Sequence, residues 1–161
     1  MHSVGYPVNS TPGTYALLLE AHEPTELQVG RLGRIYFDSP FYLYFGSAFG
    51  PGGLGARLKH HLQPAARPHW HIDYLRQVAR VLAAWHTRDT ARLECTWANA
   101  ASALPGASFV PRFGSSDCRC HSHLLAVHRL PSLSTFRRRL NALRPGCADI
   151  RQLRVARPLA A

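Results

Sequence analysis

The feature that most constrains the fold is a run of five aromatic and aliphatic residues, Phe41-Tyr-Leu-Tyr-Phe45, followed at once by the glycine-rich segment 46–53. The run consists of residue types that strands favour, so it predicts a strand. The glycines predict a loop, and Leu54, Leu58 and Leu62 beyond them recur at helical spacing. The sequence therefore predicts a strand, a tight loop and an amphipathic helix in direct succession.

The rest of the chain predicts strands first, then helices, then short strands, which indicates an α+β domain with a small central sheet. The individual predictions are a buried strand at Tyr15–Leu19, a glycine-broken strand or hairpin at Leu27–Phe37, a helical or mixed segment at Ile72–Trp85, a helix at 92–101, strands at Phe109-Val110 and Leu124–Val127, and a C-terminal helix with Ser134 as a candidate N-cap.

Charge narrows the class of partner. The 161 residues suit one domain, and 19 Lys and Arg against nine Asp and Glu give a formal net charge of +10. Such an excess favours a polyanionic partner, most often nucleic acid. A protein from a proteome rich in Arg and Ala would have the same charge without such a partner. The net charge alone therefore does not distinguish a polyanionic partner from a bias in composition.

The sequence predicts a cytoplasmic protein with no membrane association. No apolar run approaches the roughly 18 residues that span a bilayer, and the first residues lack the basic and apolar stretches of a signal peptide. The cysteines are therefore expected to be mostly reduced, and their clustering would indicate a metal site rather than a disulfide.

Two tyrosines stand beside glycines at predicted strand ends, in Gly13-Thr14-Tyr15 and Tyr44-Phe45-Gly46. A tyrosine hydroxyl in that position could reach a cleft and hold or deprotonate a water. Its reference pKa of about 10 requires a cation or a base beside it. On the tyrosines alone, two core aromatics are the simpler interpretation.

A basic helix face follows the glycine loop. Arg57, His60 and His61 lie at i, i+3 and i+4 and share one face. Arginine offers a fork of donors to phosphate, and histidine moves protons near neutral pH. With Lys59 these residues form a candidate phosphate-binding group, although a solvated basic helix face also explains the pattern. The loop itself lacks the Gly-Lys-Ser/Thr ending of a nucleotide-binding P-loop.

Glu94 is one of few acids and stands between Leu93 and Cys95 on a predicted helix. A carboxylate in apolar surroundings needs a partner, either an arginine or a hard cation such as Mg²⁺. A surface ion pair with Arg92 or Arg88 is the alternative. Both interpretations remain open at this point.

Two polar tracts contain the remaining candidate site residues. In His69-Trp-His71-Ile-Asp73 the three polar side chains share one side if the segment is extended. The second tract contains the candidate metal ligands.

The second tract contains Cys118, Cys120, His121 and His123, which have ligand chemistry for Zn²⁺, with Cys95 as a distant fourth ligand. The Cys-x-Cys spacing differs from the usual Cys-x₂-Cys. A hydrogen-bonded loop with inert thiols is the alternative, and it is modestly favoured.

Taken in order, these tracts resemble the GIY-YIG nuclease superfamily, and within it the Uri-type branch. The resemblance covers about residues 13–128. Six tracts in the right order are specific for this superfamily, whereas a single Gly-x-Tyr sequence would not be. The tracts are Gly13-Thr14-Tyr15, Tyr44-Phe45-Gly46-Ser-Ala, Gly53–His61, His69–Leu75, Glu94-Cys95 and Phe113–Leu124.

The resemblance implies a small three-stranded mixed sheet flanked by helices. This nuclease domain would occupy residues 13–130, between an irregular segment at 1–12 and a basic C-terminal extension at 131–161. The implied activity is hydrolysis of phosphodiester bonds, in DNA rather than RNA, with Mg²⁺ or Mn²⁺ as cofactor.

The resemblance also implies roles for individual residues. Tyr15 corresponds to the tyrosine that helps to activate the attacking water, and Tyr44 to the one that positions the water or the scissile phosphate. Arg57 corresponds to the arginine that neutralises the phosphate, and His61 to a base or proton relay of some members. Glu94 corresponds to the metal-binding glutamate.

The chain departs from the superfamily pattern in two ways. The gap between the tyrosines is long, consistent with an extra hairpin near residues 27–37. The downstream asparagine of many members has no clear counterpart, since Asn99 lies too close to Glu94 and Gly106 lies nearer the expected place. His71, Asp73, Cys118, Cys120 and His123 are not in the superfamily motif, and we expect them to support the site or to bind zinc.

Two other functions stay open. One is a nucleic-acid-binding module with weak or no catalysis, and the other is a zinc-stabilised interaction domain. Arg137, Arg138 and Arg139 lie outside the resemblance and are predicted to bind a nucleic-acid backbone without sequence preference.

Overall fold

The predicted aromatic strand and the apolar run near the N-terminus pair at the centre of an antiparallel sheet. They are seen in a computed structural model that describes residues 8–63, 67–116, 118–146 and 149–155. Its elements in chain order are β1 (Gly13–Ala21), β2 (Thr25–Val29), a 3-10 turn (Gly30–Leu32), β3 (Gly33–Phe37), β4 (Phe41–Ala48), α1 (Gly53–Leu62), α2 (His71–Leu75), β5 (Ala79–Thr87), α3 (Glu94–Ser102), β6 (Ser108–Phe109), β7 (Leu124–Val127), α4 (Leu133–Leu143) and β8 (Ile150–Arg154).

The main sheet has six strands in the order β6-β7-β4-β1-β5-β8, and each neighbouring pair is antiparallel. The α+β class is confirmed, but the expected small three-stranded mixed sheet is wrong. The late strands β6 and β7 extend the sheet beyond β4, and β8 extends it beyond β5. The expected hairpin is present as β2 and β3, which form a separate two-stranded sheet.

The segment Ile72–Trp85, predicted to be helical or mixed, is mixed. Helix α2 ends at Leu75, and β5 begins at Ala79. Strand β5 lies between β1 and β8 with helices on both sheet faces, so most of its side chains are buried. Continuous burial removes the two-residue alternation that marks a strand, and the remaining apolar positions then also fit a helical period.

Alternate side chains of the central strands enter two separate cores. Helices α1 and α2 and the hairpin cover one sheet face, and α3 and α4 cover the other. The first core includes Tyr15, Leu17, Tyr44, Leu54 and Ile72, and the second includes Leu18, Phe45, Trp85, Trp97 and Phe136. No helix in the described part of the chain has the length and apolar character needed to cross a membrane.

The residues assigned to a C-terminal extension take part in the fold. Helix α4 buries Phe136, which stacks on Trp85 with ring centroids 4.9 Å apart, and β8 forms the sheet edge. The helix begins after Ser132, whose hydroxyl accepts a hydrogen bond from the Thr135 amide, so the N-cap is two residues earlier than Ser134. Residues 1–7 of the predicted irregular segment and residues 156–161 lie outside the described residues.

Candidate active site

The pairing of β1 with β4 places the two predicted tyrosines side by side. Tyr15 lies opposite Gly46 and Tyr44 lies opposite Leu17, so both rings project from the same sheet face. Their centroids are 6.4 Å apart. A Cβ atom at position 46 would lie 2.5 Å from the Tyr15 hydroxyl oxygen. Glycine at that position therefore lets the Tyr15 ring cross β4.

Helix α1 brings His61 to the Tyr15 hydroxyl. The Tyr15 oxygen and His61 Nε2 are 2.7 Å apart, and both side chains are buried. Burial, aided by the charge of Arg76, lowers the pKa of His61 to about 3. Burial raises the pKa of Tyr15 to about 12, against the opposing charge and hydrogen bond of Arg57. A neutral imidazole therefore faces a neutral phenol near pH 7, and Nε2 can accept a hydrogen bond from the phenol.

Tyr44 is held between the same histidine and the loop before β7. Its ring lies 6.3 Å from the ring of His61 and 6.3 Å from that of Phe113, centroid to centroid. Burial raises the pKa of Tyr44 well above its ordinary value. The hydroxyl therefore stays protonated, as a hydrogen-bond donor requires.

Arg57 lies at the exposed side of this group. Its guanidinium carbon is 4.3 Å from the centre of the Trp70 ring, and NH1 donates to the Ser47 carbonyl at 3.3 Å. The positive charge lowers the pKa of both Tyr15 and Tyr44. A cavity of about 170 Å³ opens between Arg57, Trp70 and the glycine-rich loop. Trp70 is not among the predicted site residues, although it stands inside the tract His69–Asp73.

Glu94 is the first residue of α3, and a bond from β1 holds that helix start in place. The backbone N–H of Leu93 donates to Thr14 Oγ1 at 3.1 Å in a buried contact. The Glu94 charge raises the pKa of Tyr15 and of Tyr44, so the carboxylate lies within electrostatic reach of both rings. The start of α3 therefore faces the two tyrosines from the end of β1.

The Glu94 carboxylate fits a hard cation. Its Oε2 atom is buried and has no hydrogen-bond partner among the described residues, and Nδ1 of His61 shares that property. The alternative of a surface ion pair with Arg92 or Arg88 is not found, since no ion pair within the described ranges includes Glu94. The Arg92 guanidinium instead lies over the Phe49 ring at 4.9 Å. A buried carboxylate oxygen without a donor is the ligand type that Mg²⁺ and Mn²⁺ prefer.

Asp73 has a structural part in this region. It is 2% exposed, and its Oδ2 accepts from the backbone N–H groups of His69 and Trp70 at 2.9 and 3.0 Å. Oδ1 accepts from His60 Nε2 at 3.0 Å and from Arg76 at 3.3 Å. Burial alone would raise the pKa of Asp73, but these hydrogen bonds lower it. The carboxylate thereby caps α2 and ties it to α1.

His60, His61 and Asp73 present ligand atoms within 4.8 Å of one another. Both Asp73 oxygens already have donors, and the charge of Arg76 adjoins them. His61 Nε2 is occupied by the Tyr15 hydroxyl. Hydrogen bonds therefore occupy both Asp73 oxygens and His61 Nε2, and they leave His61 Nδ1 without a partner among the described residues.

His71 joins α2 to the loop before β7. Its Nδ1 accepts a hydrogen bond from the Gly114 amide at 2.9 Å, and burial lowers the pKa of the ring. Gly114 has φ of 71° and comes close to Tyr44. His71 therefore supports the loop on which Tyr44 rests.

The thiols of the second polar tract meet at the start of α3. The ligand atoms of Cys95, Cys118, Cys120 and His123 all lie within 4.8 Å of one another. Cys95 and Cys120 are joined by a disulfide, which differs from the expectation of reduced cysteines. His123 Nε2 lies 3.4 Å from the Cys95 sulfur and 3.3 Å from the Cys118 sulfur.

The predicted backbone-binding residues are not all near the tyrosines. Lys59 is exposed on α1, beside the site. Arg137, Arg138 and Arg139 lie on α4, which covers the opposite face of the sheet. Arg137 also contacts the Ile150 carbonyl and pairs with Asp149 at 3.8 Å. The structure therefore separates the α4 arginines from the candidate active site.

A comparison with models of known protein families shows the family to which the chain belongs. A family model described as a domain of unknown function, DUF123, matches residues 14–144, which include both tyrosines, Arg57, His61 and Glu94. The chain belongs to the DUF123 family. No curated protein and no solved structure matches it.

Proposed function

We propose that this DUF123 domain is a divalent-metal-dependent endonuclease of the GIY-YIG type. It hydrolyses phosphodiester bonds of nucleic acid, DNA rather than RNA, in the cytoplasm. The observation that carries the proposal is the meeting of Tyr15, Tyr44, Arg57 and His61 beside Glu94, whose buried Oε2 has no partner among the described residues.

Arg57 binds the scissile phosphate. Its guanidinium is planar and stacks on Trp70, which leaves donors for phosphate oxygens in the adjoining cavity. Its bond to the Ser47 carbonyl is long at 3.3 Å. A fixed positive charge at the phosphate stabilises the negative charge that develops during displacement.

Tyr15 and His61 move the proton of the attacking water. The water donates to the Tyr15 oxygen, and the Tyr15 proton passes to His61 Nε2 over 2.7 Å. Burial keeps His61 neutral, so Nε2 has a free lone pair that faces the Tyr15 hydroxyl, but the lowered pKa of about 3 also makes the imidazole a weak base by itself. Burial holds the pKa of Tyr15 at about 12, so this transfer depends on positive charge nearby, of which Arg57 supplies part.

Glu94 would hold the Mg²⁺ or Mn²⁺ ion through its unpartnered oxygen. When bound, the ion supplies positive charge for the phosphate oxygens and lowers the pKa of nearby hydroxyl groups. Tyr44, kept protonated by burial, donates a hydrogen bond that positions the phosphate or the water.

Cleavage of defined nucleic acids tests the proposal. Plasmid, single-stranded DNA and RNA are incubated with the purified protein in Mg²⁺, in Mn²⁺ and in chelator. We expect metal-stimulated cleavage, lowered on the order of 100-fold or more by Glu94→Gln and by Tyr15→Phe. Glu26→Gln is the matched control, because this exposed carboxylate of the hairpin pairs with Arg34.

Equal cleavage by the wild type and by Glu94→Gln would mean that the activity comes from a contaminant, and the proposal would fail. Salt-sensitive binding of nucleic acid with no metal-stimulated cleavage would also overturn it. That result would assign the domain to the class of binding modules.

A further inference from the structure

We propose that Cys95, Cys118, Cys120 and His123 bind one zinc ion when the chain is reduced. Three thiolates and one imidazole form a common structural zinc set. The four ligand atoms lie within 4.8 Å of one another although the residues come from two distant segments, the first turn of α3 and the loop before β7. The proposal concerns a second metal, apart from the ion at Glu94, and does not rest on nuclease activity.

The distances to the imidazole match a tetrahedral site. With Zn–S of about 2.3 Å and Zn–N of about 2.0–2.1 Å, tetrahedral geometry places sulfur and nitrogen ligands about 3.6 Å apart. His123 Nε2 lies 3.4 Å from the Cys95 sulfur and 3.3 Å from the Cys118 sulfur. One nitrogen facing two sulfurs at this separation is the arrangement that a shared ion produces.

The imidazole is also held as a metal ligand would be. The His123 amide donates to the Phe113 carbonyl at 2.8 Å, and its carbonyl accepts from the Phe45 amide at 2.9 Å, so strand-like bonds fix its backbone. The ring hydrogen-bonds to the backbone of Gly114. Histidines that bind metals commonly use their other ring nitrogen in this way, which sets the tautomer and the ring direction.

A disulfide between Cys95 and Cys120 is the competing use of these sulfurs. It employs two of the four groups and gives no part to His123 or to Cys118, the free thiol of the described residues. Zinc employs all four. The two uses exclude each other, because zinc requires Cys95 and Cys120 as separate thiolates, and this makes them distinguishable by experiment.

Zinc at this position would fasten α3 to the loop before β7. Cys95 is in the first turn of α3, and the loop carries Gly114, where a Cβ atom would lie 3.1 Å from the Tyr44 ring and 3.3 Å from the His123 side chain. Removing zinc from the protein should therefore lower the melting temperature, even in a sample without nucleic acid or Mg²⁺.

Metal analysis of the full chain tests the proposal. The protein is produced with zinc in the medium and purified with a phosphine reductant and no chelator. Elemental analysis should find about one zinc per chain, and replacement by Co²⁺ should give the absorption bands of tetrahedral thiolate coordination. Cys118→Ser and His123→Ala should each weaken zinc binding at least 10-fold. His121→Ala, an exposed histidine of the same loop, is the matched control and should bind normally.

A measurement on the wild type covers the case in which the variants do not fold. Alkylation followed by peptide mapping should show Cys95, Cys118 and Cys120 protected with zinc and reactive after chelation. Reduced protein without stoichiometric zinc would overturn the proposal, as would a Cys95–Cys120 cross-link that persists in the zinc-supplied, reduced preparation. Normal zinc binding by folded Cys118→Ser and His123→Ala would overturn it equally.

Discussion

At the scale of single residues, Gly46 decides whether the Tyr15 ring can reach His61. We expect Gly46→Ala to displace the ring, because the new Cβ would lie 2.5 Å from the Tyr15 oxygen. Overpacking of this kind costs about 1–3 kcal/mol of stability, and cleavage should fall at least 10-fold. Urea unfolding and the plasmid assay measure the two effects. Gly50→Ala is the control, since a Cβ there meets nothing within 4 Å, and equal stability of the two variants would contradict the prediction.

The buried His61 makes stability depend on pH. Its pKa is lowered from 6.5 to about 3 on folding, so the unfolded chain binds a proton that the folded chain does not bind between these values. The contribution is complete above pH 6.5 and is lost as the pH falls. From this residue alone we expect the free energy of unfolding to drop by about 1.4 kcal/mol per pH unit between about pH 6 and pH 4.

His61→Gln tests this dependence, because glutamine keeps an acceptor for the Tyr15 hydroxyl but does not titrate. Urea unfolding at several pH values should show a shallower loss of stability in the variant than in the wild type. Other histidines with a lowered pKa, such as His71 and His86, contribute to both proteins and cancel in the comparison. Equal slopes would show that His61 does not titrate as its burial requires.

The residues of the candidate site could be proposed from sequence, but most of their contacts could not. Tyr15, Tyr44 and Arg57 stand in motifs, so a resemblance identifies them. The stacking of Arg57 on Trp70 and the bond from Leu93 to Thr14 join segments that are distant in sequence. Such contacts depend on how helices dock on the sheet, and no local spacing records them.

At the scale of elements, the bond between β1 and the start of α3 positions Glu94. We expect Thr14→Val to cost about 1–3 kcal/mol, because it leaves the buried N–H of Leu93 without an acceptor while keeping the side-chain shape. Cleavage should fall as well, since α3 is no longer held against β1. Urea unfolding and the plasmid assay measure both effects. Thr25→Val is the control, since its exposed hydroxyl bonds only to the Glu23 carbonyl, and equal losses in the two variants would refute the prediction.

The same scale shows why some elements were predicted and others were missed. Strand β4 and helix α1 have compositions that fit one structure only, and both were predicted correctly. Strand β5 loses its alternation from Ala83 to Thr87, where every residue is buried because neighbours cover both faces. Strand β8 is rich in arginine and glutamine and becomes a strand by pairing with the edge of β5. Tertiary pairing, which the local sequence does not record, decides both.

At the scale of the whole molecule, the net charge of +10 is divided between two faces of the sheet. Arg57 and Lys59 belong to the face that carries the tyrosines, whereas the arginines of α4 lie on the other. A nucleic acid bound at the active site reaches α4 only by passing around a sheet edge. The affinity for nucleic acid and the rate of cleavage should therefore depend on different residues. The salt dependence of binding distinguishes the two effects.

We expect the double change Arg138→Gln and Arg139→Gln to weaken nucleic-acid binding and leave cleavage at saturating substrate unchanged. If both guanidinium groups contact phosphates, the slope of log affinity against log salt concentration becomes shallower by about 2, because each contact contributes about 0.9. Fluorescence anisotropy at several salt concentrations measures the slope. Arg34→Gln is the control, since its guanidinium pairs with Glu26 at 2.9 Å on the hairpin. Loss of cleavage at saturating substrate in the double variant would contradict the division, because it would place α4 within the active site.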